Sequence, residues 1–317
     1  MSSIHQLAMT FSEPQGRVIT TAQARELGIS RSWLSRQAQA GLFKRLHRGV
    51  FLTHSAAVPW LSQAHAALLI AGPEAFLSHE SAWYLAGMQS NIPRRITVSI
   101  PAERVLRTRT GIRYFRRNDR PAVTGTPRHT VPEETVLDMI ARGNNKIDIV
   151  GLLSTAVREN VGAGDIMRAL NLRSSFPRAQ LVKSLLGEIE DGVESPLEHL
   201  YDQDVETAHG LPESTKQHVE LIDGRWIRAD RIFRGLWVRV ELDGQLAHPG
   251  GRTNSDTWRD NAVMIKHRDV TLRYRWHHVI GQPCETADQI AAALRSRGWE
   301  GRPRSCGPRC SVGAYQR

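Results

Sequence analysis

The chain has 317 residues, enough for about two or three domains and a sizeable core. Its balance of 40% hydrophobic and 23% charged residues is that of an ordinary globular protein, and no apolar run approaches the roughly 20 residues that cross a bilayer. A net charge of +10, carried largely by arginine, favours a polyanionic partner, although a solubilising surface alone could produce it.

The opening residues, "MSSIHQLAMTFSEPQ", lack a basic start followed by an apolar core, so no secretory signal is expected. From residue 16 to 54 the signals are dense. Thr20 or Thr21 can cap a helix through Leu27, and Gly28 stops it. Ser30 caps a second helix whose inner face is Trp33, Leu34 and Ala38, leaving Arg31, Ser32, Ser35, Arg36 and Gln37 outward. The short "LGIS" turn between the two suits a helix-turn-helix. Phe43 to Thr53 then alternates as a hairpin with Lys44, Arg45, His47 and Arg48, bending at Gly49. Such a wing offers cations to phosphates beside a helix in the major groove of double-stranded DNA. Residues 1 to 53 carry seven Lys or Arg against two acids, which fits DNA; a helical bundle for protein contacts is the alternative. With no basic amphipathic helix to lie on a membrane, nucleic acid is the preferred polyanion.

Residues 55 to 190 read as helices mixed with a basic strand pair. Ser78, His79 and Ser81 in "LSHESA" resemble a catalytic pair, but neighbouring helical residues do not face each other and no orienting acid is evident. Ten arginines and two acids between Arg94 and Arg128 either extend a phosphate-binding face or solvate a sheet.

The stretches "TTAQARELGISRSWLSR", "FKRLHRGVF", "AHAALLIAGPEAFLSHESAWYLAG", "RRITVSIPAER", "GIRYFRR" and "TVPEETVLDMIA" together resemble the AbiEi family of antitoxins. The resemblance covers about residues 16 to 145. It implies a winged-helix repressor module that binds its own promoter, and a cognate toxin as a second partner.

Residues 194 to 299 read helix, strand, strand, strand, helix, strand, helix. Arg225 to Phe233 and Leu236 to Leu242 are expected to be antiparallel neighbours joined at Arg234-Gly235, bringing Asp230 toward Glu241. Glu241 and Asp243 share one face by parity. Clustered carboxylates repel unless protonated or neutralised, and Mg²⁺ or Mn²⁺ is a natural neutraliser. Glu198, in the first turn of the preceding helix, either joins them or serves the helix dipole.

"ESPLEHL", "IRADRIF", "VRVELDGQLAH" and "TWRDNAVMIKHRDVTLRYRW" resemble the domain related to very-short-patch repair endonucleases in the PD-(D/E)XK superfamily. That resemblance implies metal-binding acids at Asp230, Glu241 and Glu198, with Asp243 and His248 as further catalytic positions. The superfamily's usual lysine is replaced by Asp243, and His248 is either a general base or a loop histidine.

The expected architecture is multidomain, α+β and α/β. It comprises a winged helix-turn-helix over 1–54, a mixed middle region over 55–190, a restriction-endonuclease-like α/β sandwich over 194–299 and a disordered tail over 300–317. The expected activity is Mg²⁺-dependent hydrolysis of DNA; the alternative is a non-enzymatic regulator or antitoxin with an inactive nuclease fold. Cys284, Cys306 and Cys310 make no disulfide framework and suit a reducing cytoplasm. The C-x-x-x-C of Cys306 and Cys310 has no second ligand pair nearby, so no zinc site is expected there.

Overall fold

Two side chains start the helices of the N-terminal region, as their positions before apolar periodicity predict. Thr20 Oγ1 accepts from the Gln23 backbone N–H at 3.1 Å while Gln23 returns its side-chain oxygen to the Thr20 N–H at 3.0 Å, a closed capping box. Ser30 Oγ accepts from the Trp33 N–H at 3.1 Å. The structure is a computed structural model that describes residues 3–143, 145–191, 196–222, 224–243 and 254–313.

The chain divides into two compact units, Met1–Met139 and Ile140–Arg317. The first opens with α1 (Ser3–Ser12), β1 (Val18–Thr20), α2 (Thr21–Glu26), α3 (Arg31–Gln39), β2 (Lys44–His47) and β3 (Val50–Leu52). A three-stranded sheet in the order β1-β3-β2 completes a helix-turn-helix with a hairpin wing. Gly28 ends α2 at φ +73°, and Gly49 turns the hairpin at φ +79°, conformations that cost an L side chain about 1–2 kcal/mol. Ala8, Ile19, Ala24, Ile29, Leu34, Phe43 and Phe51 form the core here, so α1 belongs to it. Truncating Leu34, fully buried, would cost about 2–5 kcal/mol.

The unit continues through α4 (Trp60–Ala71), β4 (Phe76–Leu77), α5 (His79–Leu85), β5 (Ile96–Pro101), β6 (Ile112–Arg117), β7 (Val123–Thr124), β8 (His129–Thr130) and α6 (Pro132–Arg142). The strands form one five-stranded sheet, β6-β5-β4-β8-β7. Packing continues across the boundary expected at residue 54. Val18, Val50 and Leu52 share a core with Ala66 of α4, and Ser62 donates to the Gly16 carbonyl at 2.7 Å. The expected middle region is likewise divided, its last helices belonging to the second unit.

That second unit holds α7 (Lys146–Arg158), α8 (Ala163–Asn171), α9 (Ala179–Asp191) and α10 (Pro196–Leu200), then a π-helical segment at Tyr201–Thr207. Next come β9 (Thr215–Ile222), β10 (Arg225–Phe233), β11 (Val238–Asp243), α11 (Asn254–His267) and β12 (Val270–Arg275). A π-helical turn at His277–Gly281 leads to α12 (Pro283–Ser296). The sheet order is β12-β11-β10-β9, with β11 and β12 parallel and the other pairs antiparallel. The order of elements after residue 194 is the expected one.

Two local expectations are corrected. The β10–β11 connection is a four-residue turn, Arg234 to Trp237, so Leu236 lies outside the strand. Gly235 at φ +78° and Trp237 at φ +55° hold this turn, and the left-handed Trp237 delays the strand to Val238. The expected disordered tail is also ordered as far as residue 313. Its Arg304 guanidinium donates to the Thr207 carbonyl at 2.7 Å and the Ala208 carbonyl at 3.3 Å, and its backbone N–H to the His209 carbonyl at 2.7 Å. A cation at the C-terminal end of a helical segment satisfies carbonyls that helix geometry leaves open. Among the described residues no helix is long and apolar enough to cross a membrane.

Candidate nucleic-acid interface and the carboxylate region

On α3, Leu34 points inward, while Arg31, Ser32 and Arg36 are exposed and Ser35 and Gln37 are half-buried. Of the five residues expected to face outward, Arg31, Ser32 and Arg36 do so fully, and Ser35 and Gln37 in part. In the wing, Arg45 and Arg48 are exposed and Lys44 and His47 are half-buried. Lys44 Nζ donates to the Ala56 carbonyl at 2.9 Å, which turns its charge toward its own unit. Arg45 lies over the Phe51 ring, 5.5 Å from its centroid, within cation–π reach. Burial, with Arg109 as a lesser cause, holds the His47 imidazole below its ordinary pKa, so its charge is disfavoured. The exposed cations of this surface are therefore Arg31, Arg36, Arg45 and Arg48.

Ser78 and His79 do meet, contrary to the expectation from helical spacing. Ser78 is extended before α5 and His79 takes φ +49°, so Ser78 Oγ and His79 Nδ1 stand 2.9 Å apart. Both are buried, Ser99 Oγ donates to Ser78 at 2.8 Å, and His79 stacks on Phe115 at 4.0 Å. Arg117, in the arginine-rich stretch, is similarly committed: it binds Asp119 and Asp138, Asp138 at 2.7 Å. Arg113 and Arg116 on the same edge strand are exposed.

In the second unit, Arg231 pairs with Val240 across β10 and β11, and this antiparallel register carried one residue further sets Asp230 opposite Glu241. Asp230 Oδ2 accepts the Leu242 N–H at 2.8 Å, tying the acid to the neighbouring strand. Glu241 is 9% exposed. Glu198 does not join this pair. Its carboxylate accepts from Gln217 Nε2 at 2.8 Å and lies 3.7 Å from the guanidinium of Arg231. Arg231 also reaches Asp202 Oδ1 at 2.7 Å, and because neighbouring strand residues alternate faces, Arg231 and Asp230 point oppositely.

Asp243 sits 3.2 Å from Arg275 on β12 and borders a pocket with Trp276, His277 and the α7 residues Val150 and Ser154. His248 lies outside the described residues. Among the described residues Glu198, Asp230 and Glu241 are not gathered into one group within liganding reach, and Glu198 is turned to Arg231. Among the described residues, the side chains brought within liganding reach in a group of three or more are His209, Cys284, Cys306 and Cys310. Sequence spacing missed His209 and Cys284 because both lie far along the chain from the C-x-x-x-C. It also missed the buried Arg231 and Arg239, since a strand arginine gives no local sign of burial. Arg239 binds Glu220 and Asp269.

No curated protein matches the chain. Among solved structures it is similar to that of the RV2827C protein from Mycobacterium tuberculosis, at 17% identity and a TM-score of 0.40, covering 59% of this chain and 76% of that one. Residues 6–54, the span from α1 through the wing, match the family described as "Transcriptional regulator, AbiEi antitoxin".

Proposed function

We propose that this protein is a DNA-binding transcriptional regulator of the antitoxin type, reading double-stranded DNA with α3 in the major groove and the β2–β3 wing against the backbone. The observation that carries this reading is the coincidence of the regulator-family match at residues 6–54 with four exposed arginines on recognition helix and wing. Arginine forks suit phosphate oxygens and guanine edges alike. The net charge of +10 adds long-range attraction to the duplex. A toxin protein is the second partner that an antitoxin role requires. The test is binding of the full chain to a duplex spanning its own promoter, against a shuffled duplex, over a range of salt. Equal, weak binding to both would remove the operator from this reading.

The endonuclease reading keeps one observation in its favour, the opposed Asp230 and Glu241. Under it the two acids hold a divalent cation at the end of the β10–β11 pair. Cleavage of plasmid DNA with Mg²⁺ or Mn²⁺ distinguishes it from the regulator reading.

A further inference from the structure

The segment after α12 carries Cys306 and Cys310, which the fold brings to Cys284 at the start of α12 and to His209, just after the π-helical segment Tyr201–Thr207. Each residue offers one ligand atom, and all four atoms lie within 4.8 Å of one another. Zinc bound to thiolates at about 2.3 Å in a tetrahedron sets sulfurs about 3.8 Å apart. Cys284 Sγ and Cys306 Sγ are 3.6 Å apart, close to that edge and well beyond the roughly 2.05 Å of a disulfide.

The histidine supplies an independent sign. His209 is 0% exposed, and its Nδ1 lies 3.0 Å from the Val205 carbonyl. A carbonyl only accepts, so Nδ1 carries the proton and Nε2 is left with its lone pair. Nε2 is buried with no hydrogen-bond partner, a costly state unless something occupies that lone pair. A metal-ligating histidine has this same arrangement, with one nitrogen donating to a carbonyl and the other facing the metal.

We propose that His209, Cys284, Cys306 and Cys310 bind one Zn²⁺ as a closed, structural site. Three thiolates and an imidazole suit a soft, tetrahedral cation and disfavour Mg²⁺ or Ca²⁺, which prefer oxygen. Four protein ligands leave no open position, so the ion holds structure and activates no water. The thiol protons leave to solvent as the sulfur–metal bonds form. The ion fastens the C-terminal segment to two helical ends, where Arg304 already clips it to Thr207, Ala208 and His209. The Cys310 N–H donates to the Gly307 carbonyl at 3.0 Å, a turn that folds the two cysteines toward one side.

The test begins with elemental analysis of the full chain purified under reducing conditions. One zinc per chain is expected, retained in the Asp230→Ala/Glu241→Ala double variant and lost in Cys306→Ser and Cys310→Ser. Because those cysteine variants can fail to fold, wild-type protein stripped of metal is also titrated with Co²⁺. Tetrahedral d–d bands with thiolate-to-cobalt charge transfer, displaced by Zn²⁺, support the site. Metal removal is expected to lower the melting temperature by roughly 5–10 °C. Absence of both zinc and the cobalt spectrum overturns the proposal, as does zinc retained in both cysteine variants. A Cys284–Cys306 disulfide in reduced preparations overturns it too.

Discussion

Arg231 Nη2 stands 2.7 Å from Asp202 Oδ1, with the arginine 1% exposed inside the second unit. Glu198 completes the pairing at 3.7 Å, and the guanidinium lies 5.8 Å from the centroid of the Tyr201 ring. Arg231 thus lies between two helical acids, and Lys216 also pairs with Asp202. Removing the cation leaves both carboxylates partly buried without their shared arginine. Arg231→Ala is expected to lower stability by about 3–5 kcal/mol in denaturant unfolding. Adding Asp202→Asn and Glu198→Gln to it is expected to restore part of that loss. A single variant as stable as wild type would show the network to be energetically idle.

Plasmid nicking separates the two functional readings. As a regulator, the protein leaves supercoiled plasmid intact with Mg²⁺, Mn²⁺ or EDTA, and Asp230→Ala/Glu241→Ala changes neither this nor operator binding. Metal-dependent nicking that disappears in the double variant would instead make Asp230 and Glu241 a metal-binding pair and restore the endonuclease reading.

Under the regulator reading the exposed arginines divide by role. Arg45→Ala with Arg48→Ala is expected to weaken binding to all duplexes alike and to reduce the salt slope by about 2, one for each phosphate no longer neutralised. Arg36→Ala on α3 is expected to cost about 1–3 kcal/mol on the operator and to relax discrimination against other sequences. Fluorescence anisotropy at several salt concentrations reads both. An unchanged slope in the wing variant would place the wing away from the duplex.

Acid is expected to weaken the first unit. His47, His54 and His65 all have pKa values lowered from 6.5, in each case chiefly by burial, with Arg109 adding to it at His47 and Arg17 and Lys44 at His54. The unfolded chain therefore binds protons more readily than the folded one. Stability from keeping these rings neutral is fully present above pH 6.5 and is lost as pH falls through their folded pKa values. Thermal melts between about pH 7.5 and 5.5 should show the decline, and His65→Leu should flatten part of it. Identical melting temperatures across that range would contradict the shift.

What the sequence determined alone lies mostly in short stretches. A cap at Thr20 or Thr21, Ser30 as a cap, Gly28 as a helix stop, Gly49 as the hairpin bend and the outward Arg31 and Arg36 were legible because each depends on residues within one or two turns. The order of elements after residue 194 was legible for the same reason, whereas the register that sets Asp230 opposite Glu241 came from the four-residue turn, since the expected Arg234-Gly235 turn would set Asp230 opposite Arg239.

Tertiary structure decided the rest. The separation of Glu198 from Asp230 follows from α10 packing on the face that Arg231 occupies, which no spacing encodes. The division of residues 55 to 190 between two units depends on what each helix packs against: α4 and α5 lie on β5, whereas α7 packs on the π-helical turn His277–Gly281 and α8 on α9. The meeting of His209 and Cys284 with the two tail cysteines, and the order of the tail itself, require chain segments far apart in sequence to share one corner of the fold. Local propensity acts over a few residues, whereas burial and side-chain convergence are set by long-range packing, and that packing brought His209 together with three cysteines that looked unpaired in sequence.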